Sequence, residues 1–369
     1  MTIQMVDLHG QYLKIKNEVD AAMQEVLDST AFIGGAKVRE FAANLERYLQ
    51  IKHVIPCANG TDALQVAFMA LNLSPGDEVI VPCFTYAATA EVIALLHLTP
   101  VLVDVDTDTF QIDINQIEQC ITAKTKAIVP VHLFGQCSNM EAIMQLAEKH
   151  NLFVVEDTAQ AIGAKYTFSH GSVQSAGGIG HFGTTSFFPS KNLGCFGDGG
   201  AILTNDDVLA EKARMICNHG QKKKYYHSVI GVNSRLDTIQ AAVLDVKLKH
   251  LDSYCQARND VADYYDIAFA DDERFDTPKR VANSTHVFHQ YTLKLNGINR
   301  DDLKNYLHEK GVPSMVYYPV PLNEQEAFLS NGKFPITQDL CSRVLSLPIS
   351  TEMSQEQLEY IVAAVLGYK

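Results

Sequence analysis

A lysine attacks a carbonyl carbon only when its amine has lost its proton, and one lysine here has neighbours that favour that state. Lys191 lies in Thr185-Ser186-Phe187-Phe188-Pro189-Ser190-Lys191-Asn192-Leu193-Gly194. Two aromatics and a proline precede it and Asn-Leu-Gly comes after, a setting that can desolvate the amine and lower its pKa. The ordinary alternative is a solvated surface lysine, and local composition leaves both open. Asp157 is a second candidate. It ends the apolar run Leu152 to Val155 in Val154-Val155-Glu156-Asp157-Thr158-Ala159-Gln160. It is either an exposed strand-end aspartate or a buried carboxylate, and burial calls for a cation beside it, such as a protonated ring nitrogen. In a third segment, Ala58-Asn59-Gly60-Thr61-Asp62-Ala63, Gly-Thr opens a helix. Free amides beside a hydroxyl suit a phosphate; taken alone, a plain capping turn on Asn59 or Thr61 is the commoner explanation of such a segment.

Other motifs say less. Gly178-Ile179-Gly180-His181-Phe182-Gly183 matches a dinucleotide fingerprint in spacing. The next residues, Thr184-Thr185-Ser186-Phe187-Phe188, are strand-like rather than helical, so the run reads as a flexible loop and a nicotinamide-dependent oxidoreductase is disfavoured. The thirteen histidines show no HExxH spacing and the eight cysteines no CxxC pair, so no metal site is expected. There is no GxSxG elbow. Lys222-Lys223-Lys224-Tyr225-Tyr226-His227 is a solvated basic loop or a place to meet a diphosphate.

These residues need a frame. From about residue 53 to 205 short apolar runs alternate with amphipathic stretches: strands at His53 to Pro56, Glu78 to Val81, Pro100 to Val105, Lys126 to Phe134 and Leu152 to Val155; helices at Asp62 to Leu73, Thr89 to Leu98 and Met140 to His150. That alternation predicts an α/β fold with a mostly parallel sheet, whose ligands gather at the carboxyl ends of the strands. A long helical stretch is expected from about Leu236 to Tyr265, then a smaller α+β unit. The boundary is set inside that helix, giving residues 1–247 as the large unit, whose first residues can pack with the other, and 248–369 as the small one. A net charge of −13 over 369 residues argues against nucleic acid as partner. No signal-peptide core and no run near ~18 apolar residues is present, so no membrane association and a cytoplasmic location with reduced thiols are expected.

Together the segments resemble the DegT–StrS family of pyridoxal-phosphate sugar aminotransferases. The likeness runs over nearly the whole chain through Asn59-Gly60-Thr61-Asp62-Ala63-Leu64, Pro82-Cys83-Phe84-Thr85-Tyr86, Val155-Glu156-Asp157, Ser186 to Lys191, Gly197-Asp198-Gly199-Gly200-Ala201 and Gly231-Val232-Asn233-Ser234-Arg235-Leu236-Asp237. The resemblance implies the type I aminotransferase fold, a large domain with a mostly parallel seven-stranded sheet plus a smaller α+β C-terminal domain, working as a homodimer with shared active sites. It implies pyridoxal 5'-phosphate as cofactor, with Lys191 as its Schiff-base lysine and Asp157 on its pyridine nitrogen. Gln160 would lie near its phenolic oxygen, and Tyr86 would stack on its ring. Gly60, Thr61 and Ser186 would hold the phosphate, joined by Asn233 of the neighbouring subunit. Arg235, Tyr317 and His227, the last in the Lys222–His227 loop, become candidates for the substrate. A related branch that dehydrates carries histidine in place of the lysine, so Lys191 favours amino transfer. The donor implied is glutamate, leaving as 2-oxoglutarate. The acceptor implied is the 3-keto carbon of a UDP-linked 2-acetamido-3-keto-2-deoxy-glucuronate, in cell-surface polysaccharide biosynthesis, with Arg235 facing the sugar carboxylate. A dTDP-3-keto-6-deoxyhexose acceptor, or a non-catalytic regulatory protein on the same fold, is the alternative.

Overall fold

A computed structural model describes residues 2–369. The chain opens with α1 (Leu8–Ser29) and α2 (Ala36–Leu49), then alternates β1 (His53–Cys57), α3 (Gly60–Leu71), β2 (Glu78–Pro82), α4 (Ala88–Leu95), β3 (Thr99–Val103), α5 (Ile114–Cys120), β4 (Thr125–Ile128), α6 (Met140–His150) and β5 (Phe153–Asp157). A hairpin, β6 (Lys165–Thr167) and β7 (Val173–Ser175), precedes β8 (Phe182–Ser186) and β9 (Gly200–Thr204). Next come α7 (Asp207–Cys217), the small hairpin β10 (Gln221–Lys223) and β11 (Tyr226–His227), and helices α8 (Thr238–Leu248) and α9 (Leu251–Phe269). The last part holds β12 (Phe275–Asp276), β13 (Tyr291–Leu295), α10 (Arg300–Glu309), α11 (Pro335–Arg343), β14 (Val344–Leu347) and α12 (Gln355–Leu366).

Seven strands form one sheet in the order β1-β9-β8-β5-β4-β2-β3, parallel from β8 through β3, with β9 antiparallel to both of its neighbours. The expected mostly parallel seven-stranded sheet is thus present. Its strands are apolar on both faces because helices cover both. Val79, Val81, Ala127, Val155 and Phe182 pack under α3, α4 and α7, while Ile80, Ile128 and Val154 pack with α5 and α6 on the other face. A second core gathers the end of α9 with β13, β14, α10 and α12, and takes in Ile3 from the start of the chain.

Two elements differ from the sequence reading. The strand expected over Lys126 to Phe134 stops at Ile128. Pro130 has no N–H for a ladder, so the regular strand ends there; Val131 still bridges Asp157 before the chain turns away at Leu133–Gly135. The single long helix is two: α8 is buried on nearly all sides, and a break at Lys249-His250 lets α9 run from the first core, at Leu251, to the second, at Tyr265 and Phe269.

Candidate active site

Asp157 closes β5 at the carboxyl edge of the sheet and is 7% exposed. Its backbone is pinned on both sides, the N–H to the Pro130 carbonyl and the carbonyl to the His132 N–H, each at 2.9 Å. Its carboxylate accepts from the Thr89 hydroxyl at 2.8 Å and the Ala159 N–H at 3.1 Å. Neither donor is a cation, so the carboxylate still has room for one. The preceding Glu156 points to the opposite face, as strand alternation demands. It accepts from the N–H groups of Gly177, Ile179 and Gly180 at 2.9, 2.7 and 2.6 Å and from His132 Nε2 at 2.9 Å. The glycine run therefore has its anion already. Its first part is a loop, as expected, but one wrapped around an internal carboxylate and tied to it, and its last two residues, Phe182 and Gly183, already belong to β8.

Gln160, one turn beyond Asp157, accepts from the Phe134 N–H at 2.7 Å and donates to the Tyr318 hydroxyl at 3.1 Å. The first bond holds Phe134 in a left-handed conformation at φ 60°, which costs roughly 1–2 kcal/mol for a residue with a Cβ. Phe134 is offset by packing with Phe84 and Phe110 in an aromatic cluster that also supports Tyr318. Burial pushes the Tyr318 phenol well above its ordinary range, so it stays a neutral donor and acceptor. Tyr86 stands 6.3 Å from Tyr318 between ring centroids and is 62% exposed, leaving its ring open to stacking.

The turn into α3 meets the end of β8. The Asn59 side chain accepts from the Asp62 N–H at 2.8 Å, so it is the cap, and the amides of Gly60 and Thr61 remain the open donors of the first turn. The capping reading is met by Asn59, and the cap leaves two donors open for an anion. A Cβ on Gly60 would lie 2.7 Å from the Ser186 Cβ, which is why glycine stands there. The Ser186 oxygen accepts from the Phe188 N–H at 3.2 Å, leaving its proton free to donate beside Gly60 and Thr61.

Lys191 sits in a tight turn, its N–H on the Phe188 carbonyl at 2.8 Å, and is half-buried. Burial lowers its amine from 10.5 to about 8, a shift partly opposed by the charge of Asp157. The two aromatics divide the labour differently from expectation: Phe187 is buried against Phe41, whereas Phe188 is 51% exposed. His289, also buried, is held well below its ordinary range by desolvation, then by Lys191 and Arg258, and so adds a neutral imidazole to this neighbourhood.

The remaining candidates lie apart. In the Asn233–Leu236 stretch burial alternates: Ser234 and Leu236 face in, Asn233 and Arg235 face out. Ser234 fastens the stretch, accepting the Ala58 N–H at 3.1 Å. Among the described residues neither the Asn233 nor the Arg235 side chain makes a hydrogen bond. His227 is exposed on β11, with Nδ1 2.7 Å from the His219 carbonyl oxygen. Its basic neighbours are not simply solvated: Lys222 pairs with Glu211 at 2.9 Å, and Lys223 and Lys224 sit over the rings of Tyr226 and Tyr225. Tyr317 is half-buried, 6.1 Å from Tyr318 between centroids; it is Tyr318 that reaches Gln160. Sequence reasoning missed Tyr318, Thr89, His289 and Ser234. Thr89 lies near a residue already singled out, three beyond Tyr86 at the start of α4. No cluster of three or more metal-ligating side chains occurs among the described residues.

A strand-end carboxylate with room for a cation, a desolvated amine, an open helix N-terminus beside a serine and an exposed aromatic platform fit pyridoxal phosphate. On this sheet order they define a type I pyridoxal-phosphate enzyme. Residues 13–366 match the DegT/DnrJ/EryC1/StrS aminotransferase family, and the chain belongs to it. Enzymes of this family use pyridoxal 5'-phosphate. The chain is 46% identical to a pleiotropic regulatory protein of Geobacillus stearothermophilus, covering 100% of this chain and 99% of that one. It is 43% identical to a UDP-2-acetamido-2-deoxy-3-oxo-D-glucuronate aminotransferase of Pseudomonas aeruginosa, over 98% of this chain and 99% of the relative. Its structure superposes on an aminotransferase of the same family from Brucella abortus with a TM-score of 0.94, at 41% identity and 99% coverage of both chains. No helix among the described residues is long and apolar enough to cross a membrane.

Proposed function

We propose that this chain moves an amino group from glutamate to the 3-keto carbon of a nucleotide-linked sugar, with UDP-2-acetamido-3-keto-2-deoxy-glucuronate as the preferred acceptor. The observation that carries the chemistry is Lys191: a half-buried amine lowered to about 8, within the field of Asp157. Such an amine has lost its proton in about half of the molecules near pH 8, far below an ordinary lysine, and can both bond an aldehyde and shuttle a proton. When bound, the cofactor supplies an electron sink for the carbon that loses its proton. Asp157 would hold the ring nitrogen's proton, steadied by Thr89 and Ala159. Lys191, displaced by the incoming amine, would carry a proton between the substrate carbon and the cofactor. Gln160 would donate or accept at the phenolic oxygen, Tyr86 would cover the ring, and Gly60, Thr61 and Ser186 would hold the phosphate. Glutamate leaves as 2-oxoglutarate, and the keto-sugar collects the nitrogen.

The acceptor is supported by the Pseudomonas aeruginosa relative, whose name is that of a 3-oxo-glucuronate aminotransferase. An exposed guanidinium with no partner, Arg235, suits a uronate carboxylate. With glutamate as donor, a UDP-linked 3-keto-uronate is expected to be aminated at least about tenfold more efficiently than a dTDP-linked 3-keto-6-deoxyhexose. Higher kcat/KM on the dTDP sugar would move the assignment to the deoxyhexose enzymes. The regulatory name of one relative favours no loss of chemistry here, because Lys191 and Asp157 are both in place. The eight cysteines are all free thiols, which supports a cytoplasmic setting.

We also assign the working form as a homodimer in which Asn233 and Arg235 serve the partner's site. Both face outward, and Phe32 and Ile33, bonded through their backbone to Thr238 and Asp237, are exposed beside them. Such a patch suits a self-complementary contact. Homodimers of Asn233→Ala and of Lys191→Ala should each be poor. Mixing equal amounts and re-equilibrating should restore about a quarter of wild-type activity, since half the dimers then hold one intact site. No recovery would place Asn233 in its own subunit's site.

A further inference from the structure

Helix α11 has no cap of its own. Its N-terminus begins Phe334-Pro335, and Phe334 offers no side-chain acceptor. The first-turn donors are met instead by Asp104, just past β3: its carboxylate accepts from the Ile336 N–H at 2.9 Å, the Thr337 N–H at 2.8 Å and the Thr337 hydroxyl at 2.6 Å. Asp104 is 1% exposed. An acidic side chain facing a helix N-terminus gains from both hydrogen bonds and the helix dipole.

Residues 313–334, between α10 and α11, form a strap across the carboxyl edge of the sheet. Its middle is tied to the end of β2, the Leu322 N–H to the Cys83 carbonyl at 3.3 Å and the Cys83 thiol to Asn323 at 3.2 Å. Its early part carries Tyr317 and Tyr318. Leu340 and Cys341 of α11 pack in one cluster with Phe84, Phe134 and Val105, and Tyr317 and Tyr318 rest on that cluster. The cap on α11 and the position of Tyr318 therefore share one packed layer, and packed layers shift as units.

We propose that Asp104 is a positioning residue for the acceptor side of the cleft: by capping α11 it holds the strap so that Tyr318 stands against Gln160 and Tyr86. The proposal rests on reading the cleft as a sugar-amination site. Gln160 and Tyr86 face the cofactor as well, but Lys191, Asp157, Gly60, Thr61 and Ser186, which would carry its covalent bond, ring nitrogen and phosphate, lie outside the strap.

Two variants probe the cap from opposite sides, Asp104→Asn, which keeps the shape, and Thr337→Val, which removes a donor. In holoenzyme, amide exchange across residues 315–323 should rise by about tenfold in both, while β1 and β9 stay within about twofold of wild type. The KM for the keto-sugar should rise by roughly tenfold with the cofactor affinity unchanged and kcat at saturation falling much less. In a Tyr318→Ala background, adding Asp104→Asn should raise KM no further. Unchanged exchange in the strap, an equal rise in the sheet, or a full additional KM effect without Tyr318 would each overturn the proposal. Should the wild-type enzyme aminate no keto-sugar, the functional reading fails, yet the exchange comparison still decides this one.

Discussion

Lys191→Ala is expected to lower amino-transfer turnover by more than about 10⁴-fold, because it removes both the covalent anchor and the proton shuttle. The variant should fold and should lose the visible absorption that marks cofactor bonded to the lysine. The pH dependence of the wild type sharpens the test. Only the unprotonated amine bonds an aldehyde, so capture of pyridoxal phosphate by apoenzyme should accelerate as pH rises and level off above about 8, where the buried amine has lost its proton. A surface lysine would keep accelerating toward 10.5. Stability carries the same signature. Between about 8 and 10.5 the unfolded chain holds a proton on Lys191 that folded apoenzyme has released, so its unfolding free energy should climb with pH across that window. Lys191→Met should flatten the climb. Stopped-flow capture and denaturant unfolding at several pH values measure both; a plateau only near 10.5 would show that burial does not tune this amine.

Asp157→Asn should cost about 10³-fold in kcat. The amide keeps the shape and can still accept from Thr89, but it cannot hold a proton on the ring nitrogen, so the electron sink is weakened rather than lost. Cofactor binding should survive, since Gly60, Thr61, Ser186 and Lys191 are untouched, and the visible band should remain. Single-turnover reaction with glutamate isolates the affected half-reaction. A rate within about threefold of wild type would leave Asp157 as no more than a strand-end residue held by Thr89.

Much of this site was legible in the sequence because its parts are local. Gly60-Thr61 declares a helix start, the apolar run before Asp157 declares a strand end, and Lys191 stands a few residues beyond a strand-like run. What stayed hidden depends on chain segments far apart. Thr89 meets Asp157 across 68 residues and Tyr318 meets Gln160 across 158, and no periodicity reports such pairings. Asp104 caps a helix more than 230 residues away. The glycine run misled for a related reason: its spacing is that of an anion-binding loop, which it is, but the anion is the chain's own Glu156. The strand drawn through Pro130 was too long, since β4 ends at Ile128 and only an isolated bridge at Val131 follows; periodicity counts apolar side chains and takes no account of a missing N–H.

The visible spectrum of the purified protein, followed through sequential additions, tests the central claim most directly. Bonded cofactor should give a band in the wild type. Glutamate should bleach it as the nitrogen is taken up, and UDP-2-acetamido-3-keto-2-deoxy-glucuronate should restore it as the nitrogen is passed on. A band that glutamate leaves unchanged, with Lys191 and Asp157 intact, would contradict amino transfer by this chain.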